Sequence, residues 1–353
     1  LTLATTTRLA STALALAILT TACGAKEEAG SPDASTPRRP TTSVANELTL
    51  AQARAVMSAY DKRNTAAIRR AGAPAYDDAA WTAVDTETVL AADVYATRVQ
   101  KAKKAGKDAS DSPFTHGVAA VSGGSARSAD GQGRWALLDL GTRTAEGETY
   151  RTVASIVPSK QPGSWLLAAS MTGPAKVPLP KTTPGGVLSA AQRQQLANMV
   201  PAVTRALSVG NYEEVEQNGL LTQLRRRTSA EPTPGDKASQ GWLGTLNCSP
   251  WGARSDVDMY KAVVVGTPSL RVLRGEGTTL SVLSLDCALT VQDAHGERKI
   301  QLEKPYAIAQ GDDGTFKERL QRRFVVSLLV STPDHGKPAV LAGSGSYAVP
   351  AGR

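Results

Sequence analysis

The sequence predicts an α+β fold built as two tandem domains, each with N-terminal helices packed on a curved antiparallel sheet. Three observations carry this reading. Leu48-Thr49-Leu50-Ala51-Gln52 and Leu188-Ser189-Ala190-Ala191-Gln192 each place a hydroxyl residue three positions before a glutamine. That is a capping box, in which the hydroxyl accepts from the N3 amide and the glutamine reaches back to the N-cap. Each start is followed, further on, by apolar runs punctuated with glycine and turn residues, the pattern of short antiparallel strands. Between the two halves, the stretch 174–186 holds four prolines and two glycines, which predicts a linker.

The first helix is expected to run to about Ala71, with Ala55, Val56, Ala59 and Tyr60 on one helical face. The second runs to about Leu207 with Leu196, Met199, Val200, Val203 and Leu207 inward, and Pro201 is expected to kink or split it. Helical character resumes at Gly219 and continues to about Thr228. Strands are expected at 118–121, 134–140, 150–157 and 164–171 in the first half. In the second half they are expected at 259–265, 269–273, 279–291, 299–309, 323–330 and 339–349. Along 279–291, Leu283, Leu285, Cys287, Leu289 and Val291 alternate onto one face, with Ser284, Asp286 and Thr290 on the other.

The N-terminus has a different character. Arg8 is followed by an apolar run of eleven residues, 9–19, and then Thr20-Thr21-Ala22-Cys23. Such a run is too short for a transmembrane helix, which needs about 20 apolar residues. A charged start, an apolar segment and small residues before a cysteine resemble a bacterial lipoprotein signal. Thr21, Ala22 and Cys23 match its last three positions; Thr20 stands where an aliphatic residue is usual, with Leu19 one place earlier. The resemblance implies cleavage before Cys23 and a diacylglycerol on its thiol. The alternative is an ordinary secretory signal with Cys23 free or trimmed away. Residues 24–46 are rich in Ser, Thr, Pro, Ala and charge and almost without large apolar side chains, so they read as a disordered tether. A flexible chain of that length reaches roughly 25–30 Å. The resulting division is a signal at 1–22, lipidated cysteine and tether at 23–46, a first domain at 47–173, a linker at 174–187 and a second domain at 188–353.

Export bounds the remaining chemistry. Of three cysteines, Cys248 and Cys287 remain once Cys23 is assigned to lipid, and an even pair in an oxidising compartment is expected to form a disulfide. Two buried free thiols are the alternative. The formal net charge is +8, and removal of residues 1–22 takes away one arginine and no acid. A basic body beside a bilayer is suited to anionic lipid, a phosphate-bearing wall polymer or an envelope protein. Its clusters, Arg69-Arg70, Arg225-Arg226-Arg227 and Arg322-Arg323, lack interleaved aromatics, which argues against nucleic acid. Most of these charges are expected on solvated faces.

No cofactor or metal motif is present. His116, His295 and His335 each precede a glycine and lack metal-ligand spacing. No Gly-x-Ser-x-Gly elbow occurs, and the glycine pairs near 123 and 343 do not precede helix starts, so they read as hairpin or bulge glycines.

The two helix starts and the glycine-punctuated strands together resemble the cystatin-like folds related to nuclear transport factor and ketosteroid isomerase. The cysteine signal, the tether and the helix carrying Tyr60, Asp61, Lys62, Arg63 and Asn64 are similar to secreted actinobacterial lipoproteins of unknown function. The first resemblance implies helices seated in a bent sheet and, in isomerase-like members, a carboxylate base inside the cone beside a tyrosine. Asp139, on the strand face of Trp135 and Leu137, is the candidate pocket carboxylate; a strand-end carboxylate in solvent is the alternative. Asp286 faces away from the leucines of its strand. The expected function is a membrane-anchored extracytoplasmic lipoprotein acting as a non-catalytic binding or accessory module at the envelope. The alternative is a lipid-tethered small-ligand binder or isomerase-like enzyme using a cone pocket.

Overall fold

The computed structural model describes residues 48–104, 114–123, 134–174, 179, 181–183, 188–228, 242–252, 269–293, 295, 302, 304–311 and 318–348. Cys23, its signal and the tether lie outside the described residues, as does the expected strand at 259–265.

Helix α1 (Leu50–Ala71) opens on the expected capping box: the Thr49 hydroxyl accepts from the Gln52 amide and Gln52 Oε1 accepts from the Thr49 amide. Its buried stripe is Ala53, Met57, Tyr60, Asn64, Ala67, Ile68 and Ala71. Ala55 and Ala59, expected inward, are exposed. Alanine is small enough to tolerate either side, and the larger Met57 and Ile68 fix the rotation of the helix. A 3-10 helix (Asp78–Ala83) follows, and then α2 (Glu87–Lys103), which the sequence reading missed. With Glu87 in its first turn and Lys101 and Lys103 in its last, α2 carries charges that suit the helix dipole.

The first half continues with β1 (Thr115–Gly123), β2 (Ala136–Arg143), β3 (Thr149–Pro158) and β4 (Trp165–Thr172), a meander close to expectation. The expected linker contributes β5 (Thr182–Thr183) to the sheet. Helix α3 (Ala190–Val209) repeats the capping box with Ser189 and Gln192. It runs through Pro201 without the expected split. Burial of Leu196, Met199, Val200, Val203 and Leu207 on the sheet holds it together despite the missing proline amide. Helix α4 (Gly219–Thr228) and β6 (Trp242–Pro250) follow. Next come β7 (Leu270–Gly275), β8 (Thr278–Asp293), α5 (Lys304–Ala309), β9 (Arg319–Pro333) and β10 (Ala339–Ala348). The run 299–309 was expected as a strand. Pro305 suits the first turn of α5, where its missing amide costs nothing, and would break a strand ladder.

All ten strands belong to one antiparallel sheet, ordered β1-β2-β3-β4-β10-β9-β8-β7-β5, with β6 also on β8. The α+β class is therefore present, and the strands of both halves are continuous through Thr172 of β4 and Gly343 of β10. The chain from Ala45 to Arg353 forms one compact unit. Two helical layers cover it. Helix α1 and the 3-10 helix bury Met57, Leu138, Leu140, Ile156 and Trp165, whereas α3 and α4 bury Leu207, Leu285, Val326 and Leu328. The opposite face of β2 puts Trp135 and Leu137 against Val153, Met171, Leu280 and Leu329. Gly343 lets α4 approach β10, since a Cβ there would lie 2.6 Å from Leu224 Cδ1.

Cys248 and Cys287 are disulfide-bonded and stand opposite each other in the β6–β8 register, Cα atoms 4.0 Å apart. The alternation read along β8 placed Cys287 inward, and it is buried with its partner among the residues under α3.

Candidate functional site

A cavity of about 420 Å³ lies between the two first-half helices and strands drawn from both halves. Two helical faces form one side. From α1 come Tyr60, Asn64, Ile68 and Ala71; from α2 come Val89, Ala92, Asp93, Ala96 and Gln100. Their spacings of three, four and seven residues are those of one face of a helix. Hydroxyl residues of β3, β4, β9 and β10, among them Thr152, Ser170, Ser327 and Ser344, form the facing wall. Trp81, Phe114 and Tyr150 add aromatic surface.

Helix α2 is seated from both halves. The Thr88 hydroxyl donates to the Ala168 carbonyl over 3.0 Å and lies 2.7 Å from Ser327 Oγ. Beside it, Glu87 forms a bidentate pair with Arg271 of β7, Arg271 Nη1 donating to Oε2 over 2.9 Å. Their side chains are only 10% and 7% exposed. Glu87 has φ of 54°, a left-handed backbone unusual for glutamate, at the place where this pair anchors it.

Two carboxyl groups meet at the cavity wall. Asp85 is 1% exposed and bridges in parallel to Leu167; its Oδ1 accepts from the Tyr60 hydroxyl over 2.9 Å. Its Oδ2 receives no donor among the described residues. Asp93 is half-buried and lines the cavity. Burial pushes the Asp93 carboxyl up to about 6, while a hydrogen bond from Asp85 opposes that rise. Burial first, and then the charge of Asp93, raises Asp85 well above the carboxylate range. Asp85 is raised the further of the two, so it is the member of the pair that keeps its proton to higher pH. Its Oδ1 accepts from Tyr60, and a proton held by Asp85 can be shared with the neighbouring Asp93. The buried Tyr60 phenol is raised by the same desolvation and by Asp85. The arrangement places one negative charge at the cavity, backed by a neutral acid and a tyrosine.

His116 of β1 also lines the cavity, and its Nδ1 lies 2.6 Å from Asp61 Oδ1. Asp61 Oδ2 accepts from the His116 amide over 3.0 Å. A carboxylate only accepts, so Nδ1 of His116 is the donor in this bond. The sequence reading set this histidine aside because it lacked metal-ligand spacing; its partner Asp61 is 55 residues away. Among the described residues no group of three or more His, Cys, Asp or Glu side chains is arranged to hold a metal ion.

Asp139 is not among the residues lining the cavity. Arg151 of β3 holds it, Nε and Nη2 each donating over 2.8 Å to one carboxylate oxygen. It shares the strand face of Trp135 and Leu137, as read, but that face turns away from α1. Asp286 is likewise paired, with Arg323. The arginine clusters are partly engaged: Arg70 pairs with Asp77, and Arg322 stacks 3.4 Å over Tyr347 while donating to the Tyr95 hydroxyl.

Asp93 was missed because α2 was missed; Asp85 lies before that helix, in a bridge to Leu167. The signal was present: Val89, Ala92 and Ala96 form a small apolar stripe, and Asp93 is the single acid within it.

Comparison with family models, with curated proteins and with solved structures returns no match for this chain. Among the described residues no helix is long and apolar enough to cross a membrane.

Proposed function

We propose that this chain is a lipid-anchored binding protein of the extracellular face of the cell membrane, whose cavity between α1 and α2 receives a small organic molecule. The observation that carries the reading is the cavity itself. At about 420 Å³ it falls within the range of small-molecule sites, and it combines an apolar and aromatic side with a hydroxyl-lined wall and the ionisable groups Asp93, His116 and Tyr60. The anchor rests on the Cys23 signal and the tether that follows. Helices seated against an antiparallel sheet around such a cavity also favour the cystatin-like resemblance, with the two halves read as tandem units fused along β4 and β10.

A thermal-shift screen of the full chain against small organic molecules tests the reading. Hits raise the melting temperature in proportion to the logarithm of ligand concentration. They disappear in Ala92→Trp, which fills the cavity with an indole. Hits that persist in that variant, or a screen without hits, count against the cavity as the site.

A second reading is favoured by one observation. An Asp93 carboxyl held near 6, beside Asp85 and the Tyr60 hydroxyl that Asp85 engages, has the properties of a general base. An isomerase-like enzyme then loses turnover in Asp93→Asn while still binding its ligand. Turnover unaffected by that substitution removes this reading.

A further inference from the structure

We infer that the cavity selects an organic cation: an amine or quaternary ammonium carried on an apolar body. The inference rests on the cavity being a ligand site and goes on to name the chemistry it accepts.

The charges of the wall decide it. Among the described residues lining the cavity there is no lysine and no arginine, although the chain as a whole carries an excess of basic over acidic residues. The carboxyl facing in is Asp93, and the Nδ1–H of the other ionisable ring on the wall, His116, is already engaged by Asp61. An anionic ligand would meet the like charge of Asp93 and, among the described lining residues, no lysine or arginine to offset its own. A neutral ligand would leave the Asp93 charge uncompensated in a partly desolvated space. A cation offsets it.

The aromatic walls point the same way. Tyr60, Trp81, Phe114 and Tyr150 all line this cavity, in a chain whose aromatic content is only 5%. Aromatic faces attract an alkylammonium through the ring quadrupole and pack its apolar body. Neighbouring hydroxyls such as Ser170 and Ser344 can accept N–H donors from a primary amine.

The test uses three probes sharing one ring system: naphthylmethylamine, naphthylmethanol and naphthoate. Each is titrated into the full chain and into Asp93→Asn by isothermal calorimetry at neutral pH. The amine binds the unsubstituted chain about tenfold or more tighter than the alcohol, and naphthoate binds weakest. Asp93→Asn removes most of the amine's advantage and leaves the alcohol within about twofold. Because the ranking of the probes is read on the unsubstituted chain, it stands even if Asp93→Asn does not fold. Alcohol or naphthoate binding as tightly as the amine overturns the cation assignment and leaves the cavity as a ligand site. An amine affinity unchanged in folded Asp93→Asn does the same. Absence of saturable binding by all three overturns both this inference and the proposed function beneath it.

Discussion

The Tyr60 hydroxyl donates to Asp85 Oδ1 over 2.9 Å, and Asp85 in turn is the proton-bearing partner of Asp93 at the cavity wall. This relay has a consequence for stability. Asp93 has a folded-state pKa of about 6 against an ordinary value of 3.8, so the folded chain retains a proton that the unfolded chain releases. Stability therefore falls as pH rises between about 4 and about 6, and the cost is fully present above that window. Asp93→Asn removes the charge, and its amide can donate to Asp85 Oδ2. We expect the variant to be more stable than the parent at pH 7.5 by up to about 3 kcal/mol, with the difference shrinking toward pH 4. Denaturant melts at both pH values check this, and a difference independent of pH contradicts the assignment.

The Glu87–Arg271 pair ties the first turn of α2 to β7 across 184 residues of chain. Removing one partner leaves the other charge buried without it, a loss of about 3–5 kcal/mol. Glu87→Leu and Arg271→Met are each expected to lower the denaturation midpoint, while the double substitution recovers part of the loss. A double-mutant cycle with no coupling energy would refute the pair as a structural tie.

The Cys248–Cys287 bridge closes a loop of 39 residues. In the chain-entropy account such a loop contributes about 4 kcal/mol. Replacing both cysteines by alanine is expected to lower the melting temperature, and free-thiol titration of the unfolded parent should find neither cysteine reactive without reductant. Two titrating thiols and an unchanged melting temperature would remove the bridge.

At the N-terminus, Cys23→Ser is expected to shift the protein out of the membrane fraction or leave it unprocessed, since the serine hydroxyl takes no thioether-linked lipid. Normal cleavage with continued membrane association contradicts the anchor.

Legibility in the sequence followed side-chain size and local signals. Both capping boxes were visible because they are contiguous, and the α3 stripe was visible because Leu196, Met199, Val203 and Leu207 are too large to face water. The α1 stripe was misplaced where alanines made both faces look apolar. Helix α2 was hidden by its Thr and Val residues, which lower helical preference, although Glu87 at its start and Lys101 and Lys103 at its end spelled out its direction. The disulfide needed only the count of cysteines and the compartment. The carboxylate chosen from strand alternation, Asp139, does not line this cavity, because alternation gives a face but not which face is covered by α1. Asp61 meets His116, and Asp85 meets Tyr60, only through tertiary packing, which no local pattern encodes.

A crystal structure of the full chain with naphthylmethylamine at saturating concentration tests the cavity most directly. The account predicts the ring between Tyr60 and Trp81, with the ammonium at hydrogen-bond distance from the Asp93 carboxylate. A cavity holding only water under those conditions would contradict it.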